Sequence, residues 1–350
     1  MSKAYDRIAS GRRARARPAV ASGAALVGLG LLASYLFVRA KARQAERDNP
    51  PQGKFVTVDG VRLHYLERGA GPTLVLLHGN GTYSRDFEIS GLLDRAAEHY
   101  RVIAFDRPGF GHSERPRDTM WTPDNQARLL HHALQALGVD NAIVLGHSWG
   151  TLVALAMGLR VPHFVRALVL VSGYYFPSPR LDVALSSPPA LPVVGDLMRY
   201  TVAPLAGRLL WRTTLKRAFT PQPIPASYRA MPAWMALRPS QLRASAAEAA
   251  LMVPSALAMA RRYARLKVPV RVLAGTRDAV ADCTHNAERL HERLRNSALG
   301  LEPGVGHMLH HVHPEKVLAA VDAVATQAGA PPALHNPRAQ ALARASESGV

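Results

Sequence analysis

The sequence is short of cysteine, of aromatic residues and of acidic charge. A single cysteine, Cys283, excludes an intramolecular disulfide and any zinc site built on thiolates. Aromatic residues make up 6% of the chain, and 25 Asp and Glu stand against 43 Lys and Arg, a net charge of +18. With 350 residues, 48% of them hydrophobic, the chain can still bury a sizeable core, so general disorder is excluded. An acid deficit this large would point to nucleic acid if the basic residues formed one stripe. They do not. Residues 1–47 hold 10 basic and 2 acidic side chains and residues 174–265 hold 12 and 3, whereas residues 48–173 hold 12 and 12 and residues 266–350 hold 9 and 8. No nucleic-acid partner is expected, and no internal repeat is visible.

The chain does contain one long uncharged run. The twenty residues from Ala19 to Val38 carry no charge, and as a helix at 1.5 Å per residue they would span about 30 Å, the thickness of a hydrocarbon core. This predicts one transmembrane helix at 19–38, preceded by a basic segment at 1–18 and followed by a linker at 39–52. Six basic residues before the run against four after it favour the N-terminus in the cytoplasm and the rest of a single-pass protein on the other side. A cleaved signal peptide is the main alternative, but the run is longer than a signal core and its candidate cleavage sites lie among Arg39 and Lys41. A transit peptide or a buried core helix are further alternatives.

From Phe55 onward, short β-branched runs alternate with amphipathic stretches. A hairpin turning at Asp59-Gly60 is followed by near-continuous apolar runs at 73–79, 101–106, 142–148, 167–173 and 268–275, as expected of strands buried on both faces of a parallel sheet. Helical patterns lie between them near 84–97, 122–137, 149–161, 284–295 and 314–327, which makes an open α/β sheet. Residues 174–265 break the rhythm: they hold 12 of the 26 prolines and no convincing strand, and several short helices inserted between two core strands are the simplest reading. The expected organisation is a core of 53–173 and 266–327, a helical cap of 174–265, and a loose Ala-, Pro- and Ser-rich tail at 328–350.

Gly146-His147-Ser148-Trp149-Gly150 follows a strand and opens a helix, the context a Gly-x-Ser-x-Gly elbow requires: a sharp turn strains the serine, and side chains at Gly146 and Gly150 would collide. Ser148 is the nucleophile candidate; Gly111-His112-Ser113 lacks the second glycine and the helix start. A serine hydroxyl needs a base, and the base needs a carboxylate. Asp278 follows the 268–275 strand and His307 follows the short run 298–301, so the order Ser, Asp, His is the one the motif set predicts. Competing residues have ordinary roles: Asp282 as a helix cap, His64 and His147 as packing residues, and His310, His311 and His313 as capping or surface residues. Oxyanion donors are expected from the backbone N–H of Trp149 and of Asn80, in a loop His78-Gly79-Asn80-Gly81 whose His78 and Gly79 are structural. Asp106-Arg107-Pro108-Gly109-Phe110-Gly111 reads as a tight structural turn.

Together these residues resemble the α/β-hydrolase superfamily, in its serine-nucleophile branch with a helical cap, over about residues 53–326. The resemblance implies an eight-stranded, mostly parallel sheet and the triad Ser148, Asp278 and His307. His-Gly-Asn is also seen in haloalkane dehalogenases, and such caps in epoxide hydrolases, but both use a carboxylate nucleophile where this chain has Ser148. The expected activity is therefore that of a membrane-anchored serine hydrolase on a carboxylic ester, without metal or organic cofactor. The basic cap with its Trp and Met residues suits a lipophilic acyl substrate. Carbon–carbon bond hydrolysis, amide hydrolysis and cofactor-free perhydrolysis use the same triad, and a non-catalytic membrane receptor is the rival from another class.

Overall fold

A computed structural model describes residues 3–329 of the chain, with side chains from residue 23 onward, residue 24 apart. Eight strands form one sheet: β1 (Lys54–Val58), β2 (Val61–Arg68), β3 (Thr73–Leu77), β4 (Arg101–Phe105), β5 (Ala142–His147), β6 (Val165–Val171), β7 (Val270–Gly275) and β8 (Ser297–Glu302). Their order is β1-β2-β4-β3-β5-β6-β7-β8. The first two pairings, β1 with β2 and β2 with β4, are antiparallel and the rest are parallel. The apolar runs become strands because both of their faces are covered. On β3, Val75 and Leu77 enter one core while Leu74 and Leu76 enter the other, and all four are fully buried. Each such leucine contributes roughly 1.5–3 kcal/mol by leaving water.

The first core lies under α4 (Pro123–Ala136) and α5 (Trp149–Arg160), the second under α3 (Leu92–Ala97) and α13 (Pro314–Gln327). The stretch near 84–97 is two helices, α2 (Arg85–Ile89) and α3, because Gly91 at φ 74° breaks the run between them. Near 284–295 a π-helical turn (Thr284–Glu288) precedes α11 (Arg289–Arg293), and α12 (Leu309–Val312) leads into α13.

The segment between β6 and β7 is helical throughout: α6 (Leu181–Ser186), α7 (Val194–Tyr200), α8 (Val202–Phe219), α9 (Ala233–Ala236) and α10 (Pro239–Ala260), with short 3-10 turns between. Short helices were expected; α8, with 18 residues, and α10, with 22, are long. Pro239 occupies a first-turn position of α10, where its missing N–H costs nothing, while Pro254 lies inside the same helix.

The N-terminal helix corrects a second expectation. α1 runs unbroken from Lys3 to Asp48, so 39–48 of the expected linker is helix and only 49–52 is left as coil. Residues 39–48 consist largely of Ala, Arg, Lys, Gln and Glu, strong helix formers, and nothing stops the helix before Pro50-Pro51. Its second half packs on the cap: the Ser34 hydroxyl donates to the Thr201 carbonyl (2.9 Å), Tyr35 meets Tyr200 (5.8 Å between rings), Phe37 meets Trp234 (6.0 Å), and Arg238 pairs with Glu46 (3.0 Å). Upstream, Leu26, Val27, Leu29 and Leu32 face outward, and from Ala25 the helix is long and apolar enough to cross a membrane. The 1–18 side chains and the tail beyond Gly329 lie outside the described residues.

Cap and core are joined by an ion pair in which neither side chain reaches solvent. Arg107, just after β4, pairs with Glu248 on α10, with Nη2 donating to Oε2 at 3.0 Å and Nη1 to Oε1. Arg107 also donates to Gln126 Oε1 (2.9 Å) and to the His78 and Gly79 carbonyls (2.8 and 3.1 Å). Removing one partner of such a pair leaves a buried charge uncompensated, at a cost of about 3–5 kcal/mol. Glu248→Ala is expected to lower the melting temperature by roughly 6 °C or more, at ~2–4 °C per kcal/mol for a domain of this class; a calorimetric shift below 2 °C would refute the pair's role.

Candidate active site

Three strand ends bring the chemical groups together. Ser148 follows β5 directly at φ 51° and ψ −120°, a strained conformation, and its N–H donates to the Val171 carbonyl at 2.9 Å. The flanking glycines are forced by contact. A Cβ on Gly146 would lie 2.5 Å from the Gly150 carbonyl oxygen, and one on Gly150 would lie 2.1 Å from that of Leu77. Asp278 lies on the turn after β7, where its Oδ1 accepts the N–H groups of Val280 and Ala281 (2.7 and 2.8 Å). Its Oδ2 is 2.8 Å from Nδ1 of His307, which follows β8. Ser148 and His307 line one cavity of about 330 Å³ between core and cap, with Asn80, Val183, Trp211, Leu215 and Met252 among its walls.

The Asn80 loop is held from behind. Buried His78 donates from Nδ1 to the Gly79 carbonyl (2.7 Å) and accepts the Arg107 N–H on Nε2 (3.0 Å). Burial, with the Arg107 charge, pushes this imidazole down to about 3, so it is neutral. The Asn80 side chain turns to the cap, Nδ2 donating to the Ser245 carbonyl at 3.1 Å. Among the described residues no hydrogen-bond acceptor is found for the backbone N–H of Asn80 or Trp149.

The remaining candidates take structural roles. Asp282 caps the π-helical turn, accepting the His285 N–H at 2.7 Å. Ser113 donates to the Asp106 carbonyl (2.6 Å), and His64 Nδ1 bonds Asp106 Oδ2 (2.7 Å). His147 donates from Nε2 to the His307 carbonyl (3.2 Å), fixing the backbone that carries His307.

His310 and His311 are a correction: they are buried rather than capping or surface residues, because both turn onto Asp86 of α2, which is itself completely buried. Asp86 accepts His310 Nε2 at 2.8 Å and His311 Nε2 at 2.9 Å. Burial alone would raise the Asp86 carboxyl, but the two imidazoles outweigh it and hold it well below its usual range. These three groups could face a metal ion, their ligating atoms lying within 4.8 Å of one another. Both Nδ1 atoms, however, lack a partner among the described residues, whereas a metal-bound imidazole has its second nitrogen held. The distances are those of N–H···O hydrogen bonds. Sequence gave no signal of this cluster, since Asp86 lies more than 220 positions from the histidines.

Residues 72–314 match the family model of the alpha/beta hydrolase fold. This chain belongs to the α/β-hydrolase family. Among curated relatives, the hydrolase is 36% identical over 153 residues to 2-hydroxymuconate semialdehyde hydrolase of Pseudomonas putida, covering 42% of this chain and 53% of that one. It is 32% identical over 133 residues to haloalkane dehalogenase 2 of Mycobacterium tuberculosis, covering 37% and 46%. The chain thus spans about half the length of these relatives. Among solved structures, a bacterial membrane phospholipase A shares the fold with a TM-score of 0.57 at 24% identity, covering 87% of this α/β hydrolase and 96% of that chain.

Burial also holds His147 well below and His310 below the ordinary imidazole value, with like charge from neighbouring histidines adding to it. A group depressed in the folded state binds its proton more readily when unfolded, so stability is full above the unfolded value near 6.5 and declines as pH falls toward 3. The melting temperature should therefore drop from pH 6.5 downward, and His78→Asn, which cannot charge, should flatten the slope. A flat wild-type profile over that window would contradict this.

Proposed function

We propose that this chain is a membrane-anchored serine hydrolase of carboxylic esters. The observation that carries the reading is a strained Ser148 on the same cavity as His307, whose Nδ1 is held 2.8 Å from Asp278. Ser148 Oγ attacks the acyl carbon as His307 Nε2 takes its proton. The N–H groups of Asn80 and Trp149 receive the oxyanion, each worth about 3–4 kcal/mol. His307 then protonates the leaving alcohol, and water, activated by the same imidazole, releases the acid and restores Ser148. Asp278 holds Nδ1–H and balances the imidazolium. The apolar walls at Val183, Leu215 and Met252 favour an acyl chain. Carbon–carbon bond hydrolysis on the same triad is the second reading, favoured by the likeness to 2-hydroxymuconate semialdehyde hydrolase.

Two observations support the anchor. From Ala25, α1 presents apolar side chains to its surroundings. The cap helices α7 and α8 beside it do the same at Leu197, Leu205 and Leu209, the last 83% exposed. An apolar surface of this extent marks a membrane or a partner, and its continuity with α1 favours a bilayer. A fold shared with a membrane phospholipase A agrees. The charge bias around the apolar run, six basic residues before it against four after it, favours a catalytic domain outside the cytoplasm.

Fluorophosphonate labelling of the membrane fraction should modify Ser148 and fail with Ser148→Ala. Ser148→Ala and His307→Ala should each cut ester turnover at least about a thousandfold, with the double variant little worse than either, because the residues act as a unit. Retention of a tenth of the activity by Ser148→Ala, a change of only ~1.4 kcal/mol, would refute the nucleophile. Full-length protein should resist carbonate extraction, and its release would refute the anchor. Parallel assays on esters and vinylogous diketones separate the two reactions.

A further inference from the structure

A second cavity, of about 490 Å³, lies away from Ser148. Its walls come from the loop after β4, from α7 and from the start of α10, and four of its side chains are arginines: Arg115, Arg117, Arg199 and Arg243. The negative charge around them is insufficient. Asp196 serves both Arg117 (2.9 Å) and Arg199. Glu114, also on the wall, accepts the Arg62 N–H with its Oε2 (3.1 Å). Arg115 and Arg243 meet no carboxylate among the described residues and spend their donors on backbone carbonyls, Arg115 on Pro108 (2.9 Å) and Arg243 on Arg115 and Pro116 (2.8 and 3.3 Å). Four cations thus share two carboxylates. Buried or half-buried guanidinium groups are ordinarily paired, because leaving one without an anion is costly.

We propose that this arginine-lined cavity binds a phosphate group. Guanidinium forks match the oxygens of phosphate in bidentate fashion, and several converging on one cavity suit a doubly bonded oxyanion better than a single point charge. Burial and mutual repulsion hold Arg115 down to about 10 and lower Arg243, a state that a bound anion would relieve. Tyr200 closes one side of the cavity and packs on Tyr35 of α1, while the next residue, Thr201, accepts the Ser34 hydroxyl. Ser34 lies four residues before Val38, about 6 Å inside the end of the apolar run. On the reading of α1 as a membrane span, the cavity sits beside the end of that span, and a leaflet's phosphates lie just beyond the hydrocarbon core, so a phospholipid headgroup is one source of the anion and free phosphate the other.

The test uses the full chain in dodecyl maltoside, melted with inorganic phosphate, with dihexanoyl phosphatidylglycerol, or with dioctanoylglycerol, which lacks phosphate, at matched ionic strength. Phosphatidylglycerol should raise the melting temperature by at least 3 °C and dioctanoylglycerol should not. Arg115→Gln with Arg243→Gln should abolish the shift while short-chain ester turnover stays within twofold. Arg117→Gln, at an exposed position that folding tolerates, should weaken it several-fold in concentration. An equal shift with inorganic phosphate, lost in the same variants, supports the site with free phosphate as its source, whether or not α1 spans a membrane. No shift with either phosphate compound, or a shift that survives the arginine substitutions, overturns the proposal. Because melting requires no turnover, that result is distinct from failure of the Ser148 assignment.

Discussion

The Arg107–Glu248 pair is the contact on which the geometry of the site depends. One guanidinium, sealed from water, binds a carboxylate from the cap, an amide from α4 and two carbonyls of the loop that carries Asn80. A buried ion pair adds little net stability over a well-packed apolar substitute, but breaking it is expensive. Here it makes cap position and loop position a single variable: α10 cannot shift without disturbing the carbonyls beneath the proposed oxyanion donors. His78 completes the arrangement from the other side, its ring spanning the Gly79 carbonyl and the Arg107 N–H.

Strain and support are divided between different residues. Ser148 holds an unfavourable backbone angle at the tip of a turn whose neighbours, Gly146 and Gly150, have no room for a Cβ. The histidine side is held without strain by hydrogen bonds alone: Asp278 is fixed by two N–H groups, His307 by Asp278, and the His307 carbonyl by His147. Behind these, His310 packs against His147 with tilted rings whose centres are 4.2 Å apart, and it is tied to Asp86. His307 therefore rests on a polar layer that is neutral imidazole on one side and ionised carboxylate on the other.

How much of this was legible in the sequence depended on range. The sheet could be read because β3, β5 and β6 are unbroken apolar runs that only a two-sided core explains, and the elbow because five consecutive residues carry its whole geometric requirement. Asp278 and His307 could be read as loop residues at strand ends, and in the fold they lie in hydrogen-bond contact. What escaped was of two kinds. The end of the apolar run at Val38 does not mark the end of α1, because helix propensity, not hydropathy, sets where a helix stops; α1 ends at Asp48, just before Pro50-Pro51. Arg107 with Glu248, and Asp86 with His310, join residues 141 and 224 positions apart, and a one-dimensional pattern holds no trace of such pairings. Each of those side chains alone looks like an ordinary surface charge.

The unbroken course of α1 has a mechanical meaning. α1 is one continuous helix through the exposed apolar turns and the residues packed on the cap, with no proline or coil between them: Leu29, Ser34, Val38 and Ala45 belong to one rod. Whatever inclines the outer part of that rod inclines the α/β domain with it, with the cap as the fulcrum. A tethered enzyme on a flexible leash samples all orientations and is indifferent to the thickness of its surroundings. On the proposed reading of α1 as a membrane span, a rigid rod is not, and the aim of the cavity becomes a property of the medium that holds it.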